Sequence, residues 1–267
     1  MHPTCPTQRI AALRDVVARI ERSGSTPNAP PPLPFGLPSI DLALPGGGLP
    51  LGALHEVAGA GADAQHGAAA AHFVAGILAR IEGPILWVLE RRDLFAPDLF
   101  APGLAAAGLH PDRVVYAEAG RREALLVMEE GLRHRGLAGV AAEISSRINL
   151  TASRRLQLAA EATGVTALLL RRPGPSRDGA DADLAGAMAA VTRWRIGALP
   201  SAPPIADAPD VPGLGRARWR LDLLRCRGGR PGSWMVEACD AAGRLDLVAP
   251  LADRPAAEIA GKRRAAA

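Results

Sequence analysis

The chain has almost no lysine. Lys262 is its only one, although lysine and arginine together number 31 of 267 residues. The basic side of the charge balance is therefore almost all arginine. Aromatics are equally scarce at 3%, so the expected core is built from Ala, Leu and Val. The three cysteines, Cys5, Cys226 and Cys239, are odd in number and lack metal-type spacing. That excludes a disulfide framework and predicts idle, reduced thiols. No apolar run reaches transmembrane length. Met1 to Ile10 lacks the charged-then-apolar layout of a signal peptide, so a cytoplasmic location without membrane contact is expected. No CxxC pair, metal-binding cluster, Ser/His/Asp set or Cys/His set is present, and no metal is expected.

What is present suffices for a real core. Hydrophobic residues make up 48% and mean hydropathy is +0.09, enough for one large α/β domain with appendages. Net charge is +4 and the isoelectric point is near 9.6. Arginine, alanine, glycine and proline rise together as they do in proteins of GC-rich genomes, so the arginine preference says little about function. The mild positive excess fits nucleic acid or an acidic protein as partner.

Residues 1–22 read as an amphipathic helix, with Ile10, Leu13, Val17 and Ile20 on one face. Residues 23–34 form a proline-rich linker. So short a helix on a tether cannot bury its stripe alone. It docks on its own core, on a second copy or on a partner. A core over 35–250 follows, and residues 251–267 read as a tail.

Within the core, strands are predicted at Leu54–Val57, Ile85–Leu89, Val114–Ala117, Leu137–Ala142 and Val165–Leu170. Helices are predicted at Ala68–Arg80, Pro97–Gly108, Arg122–Arg135 and Leu150–Thr163. This alternation predicts a mainly parallel sheet covered on both faces. Residues 184–197 read as a helix running into a strand at Val191–Ile196. A hairpin at 216–238 follows, with Trp219, Leu221 and Leu223 alternating against Arg218, Arg220 and Asp222. Leu245–Val248 reads as a further strand.

Two stretches carry a resemblance. The lead-in from Ile40 to Glu56 passes through Pro45-Gly46-Gly47-Gly48 into Leu54-His55-Glu56-Val57. The second stretch runs from Trp219-Arg220-Leu221-Asp222 to Gly228-Gly229-Arg230-Pro231-Gly232-Ser233-Trp234. The lead-in resembles that of RecA-type recombinases. The two stretches together, over about residues 35–250, resemble the ImuA-type proteins, RecA-like relatives of the SOS mutagenesis cassette. The resemblance implies a RecA-like P-loop fold of α/β class, with a C-terminal β-hairpin beside the sheet. It also implies a role in damage-induced translesion synthesis. The implied partners are an ImuB-like inactive relative of Y-family polymerases, RecA, and an error-prone replicative-type polymerase.

A RecA-type phosphate loop reads G-x-x-x-x-G-K-[ST]. Starting at Gly59, this chain has Ala64, Gln65 and His66 where Gly, Lys and Ser/Thr are due. The phosphate-gripping cation and the Mg²⁺-binding hydroxyl are both missing. Such a loss costs about 2–5 kcal/mol, the scale for one partner of a buried charged pair. Asp63 adds a negative charge beside the phosphates. Gly59, Gly61, Gln65 and His66 thus read as a vestigial loop, with ATP binding and catalysis not expected. Glu90 and Glu143 stand near the family's water-activating and Mg²⁺-associated acids and read as vestigial acids. Arg171 replaces the family's nucleotide-sensing glutamine.

The two DNA loops of the RecA pattern are reduced. The first is the short run Ser145–Leu150. The second, Pro173–Asp183, holds three acids, one arginine and no aromatic for base stacking. Direct DNA contact is left open. Arg154–Arg155 and Arg171–Arg172 read as solvated pairs available to phosphate or an acidic partner. Arg218, Arg220, Arg225 and Arg227 of the hairpin are the candidate partner surface, because arginine is enriched among binding hot spots. Two rivals remain at this stage: an atypical ATPase using Glu90 and Glu143, and a SulA-type inhibitor of cell division.

Overall fold

The computed structural model describes residues 30–91, 100–145, 147–172, 186–201, 203–205 and 213–248. The N-terminal helix with Ile10, Leu13, Val17 and Ile20, most of the linker, the loop 173–185 and the tail 251–267 lie outside the described residues.

The strands are β1 (Leu54–Gly59), β2 (Ile85–Glu90), β3 (Val114–Ala119), β4 (Gly139–Ile144), β5 (Thr166–Arg171), β6 (Thr192–Leu199), β7 (Arg218–Cys226), β8 (Gly232–Glu237) and β9 (Asp246–Leu247). The helices are α1 (Pro38–Asp41), α2 (Asp63–Ala79), α3 (Ala101–Ala106), α4 (Ala124–Arg133) and α5 (Leu150–Thr163). The strands form one sheet in the order β3-β2-β4-β5-β1-β6-β7-β8-β9. Strands from β3 to β6 in that order run parallel, and β7, β8 and β9 add antiparallel to the far side. The protein is thus α/β, with a mostly parallel central sheet flanked by helices and antiparallel C-terminal strands.

The parallel strands read as near-continuous apolar runs because both faces are covered. Every residue of β1, β4 and β5 is buried. On one face α2 packs over β1, β5 and β6. There Phe35, Phe73 and Trp194 interlock, with ring centroids 5.5–5.9 Å apart, and Trp234 adds to Trp194 at 6.4 Å. The few aromatics are concentrated on this face. The other face, under α4 and α5, has the expected aliphatic core, with Leu54, Met128, Leu132, Val140, Leu156 and Leu169.

The largest correction to the sequence reading is the start of α2. It begins at Asp63, not Ala68, so Gln65 and His66 lie within the helix. Residues 186–190, expected as helix, carry no helical structure. They run beside α5, with the Ala189 amide donating to Ser153 Oγ (3.1 Å). Of the expected helix at Pro97–Gly108, residues 97–99 lie outside the described residues, and the described part is helical over α3. The predicted α5 matches to the residue. Asn149 caps it by accepting from the Ala152 amide (2.8 Å). Gly164 ends it at φ 82°, the left-handed conformation that favours glycine.

His55 joins β1 to β6 inside the core. Its Nε2 donates to Pro50 O (2.8 Å), and its Nδ1 accepts from Thr192 Oγ1 (2.7 Å). The Thr192 oxygen in turn accepts from Trp194 Nε1 (2.8 Å). This arrangement requires a neutral ring. Burial pushes the His55 pKa down to about 4, with the bond to Pro50 opposing weakly.

The folded state therefore resists a proton that the unfolded chain accepts near 6.5. The resulting stability is fully present above pH 6.5 and is lost as pH falls through 4, amounting to about 3 kcal/mol. In urea titrations between pH 7 and pH 4, His55→Gln is expected to flatten this dependence. A variant with the wild-type slope overturns the assignment.

Candidate functional site

The carboxyl end of the sheet is where β1 turns into α2, across only Ala60, Gly61 and Ala62. The Ala60 amide donates to Ile196 O (2.9 Å), which holds the turn against β6. His66 folds back over it. A Cβ on Gly59 would meet the His66 Cβ at 2.9 Å, and one on Gly61 would meet the ring at 3.1 Å. The His66 Nδ1 accepts from the Ala198 amide (3.0 Å). Gln65 is exposed. The four residues of the expected vestigial loop are thus split, with His66 closing over both glycines while Gln65 faces solvent.

Beside this turn a guanidinium sits between two carboxylates. Arg172, just past β5, donates from Nε to Glu143 Oε2 (2.7 Å) and from Nη1 to Asp63 Oδ1 (3.0 Å). The other Glu143 oxygen accepts from Trp87 Nε1 (3.1 Å). Burial pulls the Arg172 pKa down, but Glu143 and then Asp63 outweigh it, and the net shift is upward. Gly67 makes room for the pair, since a Cβ there would collide with Arg172 Nη1 and Asp63 Oδ1. Asp63, in the first turn of α2, also places its charge at the positive end of the helix dipole.

Glu90 ends the neighbouring strand β2. Its two oxygens accept from the Ser145 amide and hydroxyl (2.7 Å each), and Arg121 lies 3.5 Å away. It clamps the segment that follows β4.

A second ion cluster lies on the opposite face. Glu56 of β1 is fully buried and takes Arg193 Nε at 2.5 Å and Arg171 Nε at 3.8 Å. Arg193 also donates to Gly186 O (2.9 Å). Arg171 and Arg172 are therefore both buried, on opposite faces of the sheet and paired with acids of this chain, where the sequence suggested a solvated pair.

The hairpin arginines divide into two groups. Arg218 and Arg220 lie on the sheet face opposite the tryptophans, at 3.7 Å from Glu237 and 3.2 Å from Asp222. Arg195 shares Asp222 (3.1 Å). Strict alternation would put Arg225 on the tryptophan face with Leu223. A β-bulge intervenes: Trp194 pairs with Leu223 and Arg193 with Arg225, leaving Leu224 as the extra residue. The bulge turns Arg225 to the α5 face, as bulges commonly re-aim a side chain. There Arg225 donates to Met188 O (2.8 Å) and Arg227 to Ala189 O (3.2 Å). Trp219 and Trp234 pack into the core.

Glu56, Arg193 and Ser145 were not singled out from sequence. The available signal was a charged residue inside a short apolar strand, which needs a buried partner. The two described thiols are chemically quiet, burial pushing Cys226 up to about 11 and Cys239 up to about 12. Among the described residues no helix is long and apolar enough to cross a membrane, and no group of His, Cys, Asp and Glu is arranged to hold a metal.

These features define an α/β protein with a mostly parallel sheet, whose central strand-to-helix turn is covered by His66 and flanked by the ion pairs of Arg172. No family model matches the chain. It is 44% identical over 242 residues to Protein ImuA of Caulobacter vibrioides, in strain NA1000 / CB15N and likewise in strain ATCC 19089 / CIP 103742 / CB 15. The match covers 87% of this chain and 96% of either relative. The chain belongs to the ImuA family.

Removing Arg172 leaves two carboxylates facing each other in a partly buried site. Arg172→Met is expected to cost about 3 kcal/mol in urea unfolding. Arg172→Lys is expected to recover less than half of that, because an ammonium lacks the planar fork that meets both acids.

Proposed function

We propose that this ImuA-family chain is a RecA-like accessory protein of damage-induced, error-prone translesion DNA synthesis. On this reading it neither holds nor hydrolyses ATP and works by binding other proteins. The RecA-like reading is supported by the central placing of β1, which leads straight into the amino end of α2. Two further supports are the acids at the carboxyl ends of β2 and β4.

The observation that carries the non-hydrolysing part is the Asp63–Arg172–Glu143 pairing. A working site offers backbone amides and a cation to a triphosphate. Here the amino end of α2 already has Asp63, whose charge opposes phosphate. The nearby guanidinium is engaged by two acids, and Glu143 has both oxygens taken by Trp87 and Arg172. These residues do not fit a Mg²⁺-nucleotide. Without turnover, the remaining role is recognition. The family points to an ImuB-like inactive polymerase relative, with RecA and the error-prone replicative-type polymerase as further partners.

Titration of the full chain with a fluorescent ATP analogue and Mg²⁺ is expected to show no saturable binding in the micromolar range. Micromolar binding that is abolished by Glu143→Ala overturns this part in favour of an ATPase. Tagged capture from mitomycin-treated cells, read by mass spectrometry, is expected to recover the polymerase-like partner. Recovery of neither that partner nor RecA overturns the adaptor role.

A further inference from the structure

Arginines from two distant stretches of the chain, Arg154 on α5 and Arg225 with Arg227 at the end of β7, meet at one depression. Helix α5 presents Leu150, Arg154 and Leu158 at four-residue intervals, which places them in one row on its surface. Opposite them run residues 187–189, with Arg225 and Arg227 from the end of β7. Between them lies a trough of about 440 Å³. Its floor is fixed from both sides. The Ala189 amide is held by Ser153 of α5, while the Met188 and Ala189 carbonyls are held by Arg225 and Arg227.

The chemistry of the trough is uneven. Arg154, Arg225 and Arg227 are all exposed, and no carboxylate of the described residues forms an ion pair with any of them. The one acid on the lining, Glu161, accepts from Gln157 Nε2 (2.6 Å). Leu158 stands 63% exposed and Leu150 38% exposed, with no polar role. Met188 lines the trough from beneath, with its side chain buried in the core under α5. Arginine and aliphatic carbon side by side fit a partner that brings carboxylates and aliphatic side chains together. Nucleic acid fits less well, since the trough has no aromatic platform for bases and its exposed leucines offer nothing to a phosphate tract.

We infer that the trough between α5 and the end of β7 is a docking site for an acidic, leucine-type segment of a partner protein. This rests on the adaptor reading above and gives it a surface. The β-bulge at Leu224 is part of the device, because it brings Arg225 to this side.

The probe is a short fluorescein-labelled peptide alternating acidic and leucine residues, followed by anisotropy on the full chain. Saturable micromolar binding is expected, weakening as salt is raised. Arg154→Glu and Leu158→Ser, both at exposed positions, are each expected to weaken it at least tenfold with an unchanged melting temperature. Arg91→Ala, an exposed position outside the trough, is expected to leave it unaltered. Absence of binding, or binding indifferent to both trough variants, overturns the inference. So does a labelled oligothymidine that competes with the peptide and is weakened by the same substitutions, which would make the trough a phosphate site. Cell capture separates the two levels. If wild type and Leu158→Ser recover the polymerase-like partner equally, the adaptor role stands and this surface is wrong. If wild type recovers neither that partner nor RecA, the adaptor role itself falls.

Discussion

A guanidinium held between two carboxylates governs the carboxyl end of this sheet. Arg172 reaches Glu143 on β4 and Asp63 on α2, so one side chain ties together two elements that meet where β1 turns. The geometry is demanding, because a partly buried ion pair stabilises only when the remaining hydrogen-bonding capacity is also met. Trp87 meets it for Glu143, and the missing side chain of Gly67 leaves the space. Substituting any one of these residues disturbs the others.

Much of the architecture was legible in the sequence. The apolar strands, their alternation with helices and the C-terminal hairpin follow from periodicity and turn residues. The bounds of α5 were legible as well, and the structure shows Asn149 and Gly164 as the residues that cap it. The start of α2 was not legible. Asp63-Ala64-Gln65-His66 has no apolar stripe, and Asp63 in this first turn pairs with Arg172, which lies 109 residues away. The aromatic cluster was missed for a related reason. Composition gives the number of rings but not their gathering on one face.

The candidate site was legible in its parts and not in its pairings. Glu90, Glu143, His66 and the hairpin arginines could each be named from residue type and position. Their partners could not, since Ser145, Trp87, Ala198 and Met188 come together only through the sheet order. Charge was the least transferable signal. Of the basic pairs, Arg171–Arg172 is buried, Arg155 meets Glu129 at 2.5 Å and Arg154 forms no ion pair among the described residues. Neighbours in sequence therefore have opposite electrostatic roles.

The bulge in β7 has one more consequence. Because side chains alternate with a period of two, a strand's length is also its phase. Leu224 shifts that phase by one step partway along β7, so residues before it and after it obey opposite rules for which side they face. Relatives with the same residue types but one residue fewer here would carry the arginine on the wrong side of the sheet. In this strand, insertions and deletions are expected to alter surface chemistry more than most substitutions do. When ImuA-family sequences are compared, the gap pattern around Leu224 carries as much meaning as the residues that flank it.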